Sequence, residues 1–472
     1  MDFLKIVFTV LEALLALNLL IFVHELGHFL AARWRGMKVE RFAIWFGKPI
    51  WKARINGVEY ALGWIPAGGY VSLPQMATME AIEGKAGEDA KSLAPAAPLD
   101  KIIVAFAGPL FSFLLALGFA VIVWQAGKPV NGTDDSPTLG WVVPDGPAWK
   151  AGLRPGDRIV AIDGQAVKSY GGTSQDSIMW RVITSEQTNL TIKYVRNGEE
   201  HTVQAAPFKR TTKWYERKAL RQILVSPIQR AVVFDIASNS PAALAGLKHG
   251  DEITAINGEN IFSYYAVEYA EDAMTNKNAA PVVFKVRRGT EEFERSLRAE
   301  KPVSPTNMVP SFGILSWKGN TNMAMAHPGP WEQIEASAGQ IFATVRAVFF
   351  KKNDLGVGQL GGAVMIIRVY TNLFDSEQGW RLVLWFSVVL NVNLAMINLL
   401  PLPVLDGGHI LLSLVEVARR RPVSPKLLEW IQTGFAVLLI TFMLVIAFFD
   451  AGDWIRSSWK NREHQIIFAP KK

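Results

Sequence analysis

Four stretches of this 472-residue chain are each long and apolar enough to cross the hydrocarbon core of a bilayer, and nothing else in the sequence restricts the fold so tightly. A helical crossing takes about 20 apolar residues, and lipid offers no hydrogen bonds to the backbone, so each stretch is expected to be a helix. They run from about Ile6 to Ala32, Ile102 to Trp124, Leu382 to Leu405 and Trp430 to Phe449. The first has a rival reading as a secretory leader, because Lys5 precedes the apolar run; it continues past His28, however, and ends in Arg33 and Arg35, as a retained anchor does. Cations in the short flanks set the orientation. Arg33, Arg35, Lys38, Arg41 and Lys48 follow the first stretch, and Arg419, Arg420, Arg421 and Lys426 separate the last two. Both loops are therefore expected in the cytoplasm, and the long middle segment outside it. The C-terminal cations Arg456, Lys460, Arg462, Lys471 and Lys472 run against that rule, so the orientation rests on the larger, earlier clusters. The net charge of +7 gathers at segment ends rather than in an aromatic-interleaved basic stripe. It points to a lipid bilayer as partner and to no nucleic acid.

The middle segment repeats itself. PAWKAGLRPGDRIVAIDG, from Pro147 to Gly164, aligns without a gap with PAALAGLKHGDEITAING, from Pro241 to Gly258. Each copy reads as a short helix ending in Gly, a Gly-Asp turn, an alternating strand and a tight Asp-Gly or Asn-Gly turn. Both resemble a PDZ domain in the permuted arrangement common in bacterial proteases, a fold that implies binding rather than catalysis. Ahead of the first copy, Thr138, Leu139, Gly140 and Trp141 resemble the loop whose backbone N–H groups receive a peptide C-terminus. The equivalent Val232, Val233, Phe234 and Asp235 lack the glycine and add a negative charge, so a steric or spacer role competes with peptide capture there.

These readings divide the chain into a membrane α-helical core, a membrane-associated β-region and two tandem PDZ (α+β) domains in the extracytoplasmic segment. Residues 1–126 carry the first two membrane helices with the β-region at about 38–73; 127–220 and 221–305 are the PDZ domains; 306–380 is an amphipathic membrane-associated helical segment; 381–450 holds the last two membrane helices; and 451–472 is a C-terminal tail. From Trp331 to about Phe374, Ile334, Ile341, Val345 and Val348 share one helical face, which suits either the outer membrane surface or a seat on the second PDZ domain.

HELGH, from His24 to His28, lies near the end of the first apolar stretch. At a spacing of four, the two histidines project from one face of a helix toward a common ion, and Glu25 is placed to take a proton from water and pass it to a leaving amine. In a soluble helix such a motif often consists of structural histidines. Within a membrane helix three ionisable groups each cost about 2.5 to 3.5 kcal/mol to insert, and a metal is the compensation their grouping suggests. The chain has no cysteine, so a zinc site must use His and carboxylate, and a catalytic one needs a third protein ligand besides the two imidazoles. Asp406, in NLLPLPVLDGGH from Asn398 to His409, is the candidate, with His409 as the rival. Pro401 and Pro403 break the helix there, and irregular backbone at membrane depth is tolerated where it lines a cavity.

HELGH in the first membrane helix, NLLPLPVLDGG in a late one and the repeated segment between them together resemble the site-2 protease family of intramembrane zinc metalloproteases, in its bacterial regulator-of-sigma-E branch. The resemblance covers nearly the whole chain. It implies Zn2+ held by His24, His28 and Asp406, Glu25 as base, and Asn398 as a hydrogen-bond donor to substrate. Gly108, Pro109 and Ser112 form the small-residue face of the second helix, and turns at Asn56-Gly57 and Gly68-Gly69 mark the family's β-region, whose strand edge would hold unwound substrate. It further implies single-pass membrane substrates, among them anti-sigma factors and remnant signal peptides, screened by the PDZ domains in a bacterial inner membrane, with the zinc toward the cytoplasmic side. A PDZ scaffold with a vestigial metal site and a transporter are the competing readings; intact site residues weigh against the first, and the second leaves HELGH unexplained.

Overall fold

The computed structural model describes residues 3–76, 96–131, 136–171, 174–274, 280–305, 308–318, 323–350, 353–376, 378–421, 423, 425–460 and 466–469. They form two compact units: residues 1–129, 325–342 and 360–452 make one, and residues 130–324, 343–359 and 453–472 the other. The tail cations Arg462, Lys471 and Lys472 lie outside the described residues.

The first unit is helical. Its elements are α1 (Phe3–Trp34), α2 (Pro98–Ala126), α3 (Pro330–Phe350) as far as Phe342, α4 (Ala363–Phe374), α5 (Gly379–Asn398), α6 (Asp406–Arg419) and α7 (Pro425–Lys460) as far as Gly452, the first two separated by β1 (Arg41–Ile55) and β2 (Val58–Ser72). Among the described residues four helical segments, Val7–Trp34, Pro98–Ala126, Gly379–Asn398 and Trp430–Arg456, have the length and composition to cross a membrane. The third apolar stretch, expected to run to Leu405, is helical only to Asn398. Pro401 and Pro403 cannot supply backbone donors, and the chain turns through Leu399–Leu405 before Asp406 opens α6. Gly407 and Gly408 then lie against the carbonyls of Leu399, Leu400 and Leu402, where a side chain would overlap backbone.

The amphipathic segment is broken between α3 and α4 at a glycine-rich stretch, and the first part of its apolar face is buried within the first unit. Ile334 and Ile341 of α3 pack with Ala116 and Ala120 of α2 and Val388 and Val392 of α5. A short-residue groove between two apolar helices buries such a face as fully as lipid would. The last helix also continues past 450, so the expected tail begins as helix; within the second unit, Ile467 bridges Ser304 and Phe468 is buried.

The β-region curls on itself. Arg41–Ile44 of β1 pairs on one side with Glu59–Leu62 and on the other with Gly69–Ser72, so β2 contributes both neighbours. Among the described residues no strand pairs with the far side of the Gly69–Ser72 segment, which is an edge of the sheet.

The second unit holds the two repeats. In the first, β3 (Leu139–Val142), β4 (Arg158–Ile162), β5 (Leu190–Arg196) and β6 (Glu199–Ala205) surround a core of Leu139, Leu153, Ile159 and Ile192. It closes with β7 (Val225–Pro227), which pairs with β3. In the second, β8 (Ala231–Ile236), β9 (Glu252–Ile256), β10 (Val282–Arg288) and β11 (Glu291–Leu297) close with β12 (Ile314–Trp317) on β8. The copies thus extend past the expected boundaries at 220 and 305. Their closing strands are three and four residues long, too short to carry an alternating signal.

The repeated Gly-Asp turn has a physical reason. Asp157 and Asp251 are 1% and 0% exposed. Each accepts the backbone N–H three residues earlier, from Arg154 at 2.7 Å and Lys248 at 2.8 Å, and each pairs with an arginine, Arg196 or Arg288, at 2.7 Å. Only the aspartate of each pair is buried, the arginine reaching solvent, so the loss is that of the carboxylate's hydrogen bonds, which leaves the Lys248 N–H without its acceptor at a cost of about 1 to 3 kcal/mol. Asp251→Ala is therefore expected to destabilise the second repeat by about 1 to 3 kcal/mol. Hydrogen exchange in β9 and β10 measures this; unchanged protection would contradict it.

Candidate metal centre

On α2, Val104, Gly108 and Ser112 stand four residues apart, the same spacing as His24 and His28 on α1, and the two faces meet. His28 donates from Nδ1 to the Val104 carbonyl at 2.8 Å, and His24 Nδ1 lies 3.0 Å from Ser112 Oγ. A carbonyl only accepts, so a neutral His28 carries its proton on Nδ1 and Nε2 keeps its lone pair; the Ser112 hydroxyl, able to donate or accept, accommodates the same tautomer in His24. Between these two contacts Gly108 leaves room for the rings. A β-carbon there would overlap the His28 imidazole and lie 2.9 Å from His24 Nε2.

Both Nε2 atoms face the first residue of α6. His24 Nε2 is 3.2 Å from Asp406 Oδ2, His28 Nε2 is 3.4 Å from Asp406 Oδ1, and the two nitrogens are 3.2 Å apart. All three side chains are buried. Among the described residues this is the one group of three or more His and carboxylate side chains able to hold a metal ion. Three acceptor atoms crowded together in a buried place repel unless a cation lies between them. Ligand atoms around a tetrahedral zinc, at bond lengths of about 2.0 to 2.1 Å, stand about 3.3 Å from one another, close to the separations here. Two imidazoles and one carboxylate are also a donor set that zinc accepts. His409, the rival ligand, is buried on α6 but is not one of the converging three.

Glu25 points elsewhere on α1, toward the β-region. A β-carbon on Gly69 would lie 3.4 Å from Glu25 Cγ, 3.5 Å from Ile21 and 3.1 Å from the Ala43 carbonyl, and the Glu25 carboxylate accepts the Val71 backbone N–H. The Gly69–Ser72 edge of β2 therefore runs beside the acid. Gly68 takes φ of +75°, and the Phe46 ring occupies the space its side chain would need. Asn398 ends α5, and its Nδ2 donates to His24 Nε2 at 3.3 Å. Around the β-region, Ile50, Trp51, Ile55 and Trp64 are exposed, an apolar surface suited to lipid.

Leu139 and Gly140 belong to the second unit, in β3, which pairs with β7. Leu139 is fully buried, its N–H donates to the Asp157 carbonyl at 2.8 Å, and Gly140 lies against the backbone of Pro227 and Ile228. The glycine lets the backbone of the neighbouring strand approach closely. Val233, at the equivalent place, donates to Asp251 in the same way. Sequence reasoning credited Gly108 and Ser112 with close helix approach alone and missed Val104; the four-residue spacing shared by the two helices was the available signal.

The profile described as peptidase family M50 matches residues 12–442. A zinc metalloprotease of Vibrio cholerae is 29% identical over 93% of this chain and 97% of its own length. A regulator of sigma E protease of Haemophilus influenzae is 27% identical over 93% and 97%, and the protease RseP of Yersinia pestis 26% identical over 94% and 99%.

Proposed function

The chain belongs to peptidase family M50 and is a zinc metalloprotease, and from that premise we propose that it cuts single-pass membrane proteins within the bilayer, with His24, His28 and Asp406 holding the zinc and Glu25 as base. The observation that carries this reading is the edge of β2 lying against Glu25, on the helix that also bears two of the three converging groups. When bound, the ion would make water acidic enough to be deprotonated near neutral pH and would polarise the scissile carbonyl. Glu25 accepts the proton from water and returns it to the leaving amine. Ser112 and the Val104 carbonyl fix the imidazole orientations, and the Asn398 amide, freed from His24 Nε2 when that atom binds metal, is at hand for a substrate oxygen.

A transmembrane helix hides its amides in its own hydrogen bonds and must unwind before attack. The edge at Gly69–Ser72 offers the alternative pairing, with substrate added as a strand. The two repeats of the second unit act as PDZ-type modules that admit substrates already shortened by another protease. Among the described residues β7 and β12 are edge strands of their sheets, and a steric role fits the paired condition of Leu139 and Gly140 better than capture of a terminus there. The relatives named as regulators of sigma E protease support anti-sigma factors as substrates, and remnant signal peptides have the same single-pass form. The cation bias supports a bacterial inner membrane setting, with the repeats periplasmic and the zinc end of α1 toward the cytoplasm.

Gly69→Val tests the reading in proteoliposomes with a tagged single-pass substrate. Its branches would press on the Ala43 carbonyl and Glu25, and a displacement of about 1 Å at such a site can cost about 100-fold in rate. Loss of cleavage with zinc content retained is expected; wild-type cleavage would sink the edge-presentation scheme. Equal cleavage of the same substrate with its extracytoplasmic domain left attached would remove the filter from the account.

A further inference from the structure

One buried polar contact in the membrane unit has no part in the chemistry above. Asn18 lies on α1 and is 8% exposed; its Nδ2 donates to the Leu14 carbonyl at 2.6 Å, and its Oδ1 accepts the Trp45 indole N–H at 2.7 Å. Trp45 is the residue at which β1 loses register. Ile44 pairs with Gly69 and Leu62, the next pair is Phe46 with Ile65, and Trp45 between them takes φ of +66°. A bulky side chain rarely adopts this left-handed conformation, so the surroundings must hold it there. Asn18, Ile21 and Glu25 follow one another at helical spacing on a single face of α1. Along that face Asn18 grips Trp45, while Ile21 and Glu25 meet Gly69, the partner of the residue just before Trp45.

We propose that Asn18 and Trp45 form a latch that fixes the β2 edge at its working distance from Glu25, making both of them positioning residues for cleavage. The hydrogen bond holds the bulge, the bulge sets where Ile44 presents Gly69, and Gly69 sets where an added substrate strand would lie relative to the acid. The hydrogen bonds of this pair run to Leu14 and to each other, and neither residue is one of the three converging groups, so the latch acts on substrate placement. This rests on the reading of the β2 edge as the substrate's seat.

The test uses the full-length protein in proteoliposomes with a single-pass substrate, comparing wild type, Asn18→Leu, Trp45→Phe and the double variant. Each single change is expected to lower kcat about 10-fold or more, with zinc content unchanged, and the double variant to lose no more than the worse single one, because one interaction is removed only once. Wild-type rates, losses that multiply in the double variant, or loss of zinc alongside activity would overturn the latch. Val71→Pro, which removes an edge N–H without touching Asn18 or Trp45, separates the two levels of the argument. A normal rate in Val71→Pro would bring down the edge-presentation reading and the latch with it; an impaired Val71→Pro beside normal Asn18→Leu and Trp45→Phe would bring down the latch alone.

Discussion

Glu25→Gln is expected to abolish measurable cleavage while leaving the zinc content of the protein unchanged. General acid–base catalysis by a positioned group contributes about 100- to 10,000-fold, and glutamine at this place can neither take a proton from water nor deliver one to the leaving nitrogen. The side chain is isosteric, so it fits the same space beside Gly69. Zinc should survive as well, because the converging group is His24, His28 and Asp406 and does not include Glu25. Single-turnover cleavage of a tagged substrate, with metal content measured on the same sample, is the check. A variant that still cuts at more than about a tenth of the wild-type rate would exclude Glu25 as the base.

The second large effect belongs to Asp406. Asp406→Ala leaves two imidazoles with no anionic partner, and both zinc and activity are expected to be lost. Ser112→Ala provides the internal scale. It removes only the group that orients the His24 ring, and such a partner is worth about 10- to 100-fold in metal affinity. Zinc affinity should therefore fall in the order wild type, Ser112→Ala, Asp406→Ala, as measured by competition with a chelator. A reversal of the last two would mean that the carboxylate is a neighbour of the ion and not a ligand.

The pair of histidines was legible from spacing alone, because a helix places residues four apart on one face whatever surrounds it. Asp406 was legible for a different reason: a carboxylate between prolines and glycines in an apolar stretch has few uses in lipid. The tautomers of the rings were not. They depend on the Val104 carbonyl, and a backbone atom leaves no mark in a sequence. The double pairing of Arg41–Ile44 was hidden as well, since alternation reports which face is buried and is silent on how many neighbours a strand has. Gly140 was ambiguous because glycine serves an open turn or a close backbone contact, and its approach to Pro227 and Ile228 appears only in the fold. Similarly, the face of Ile334 and Ile341 looked membrane-directed because lipid and the flanks of α2 and α5 ask for the same apolar side chains. Periodicity gives the face and leaves its partner open.

The Asn18–Trp45 contact belongs with the features that no pattern rule would have found. An asparagine in an apolar helix and a tryptophan in a strand are each unremarkable in isolation, and the positive φ that makes the contact necessary appears only in the fold.

Zinc-edge X-ray absorption on the purified full-length protein, wild type beside Asp406→Ala, addresses the convergence of α1 and α6 on one ion most directly. The account predicts a wild-type shell of two imidazole nitrogens with oxygen ligands, and an Asp406→Ala sample that is either empty or has lost a carboxylate oxygen. An unaltered spectrum at full occupancy in the variant would contradict it.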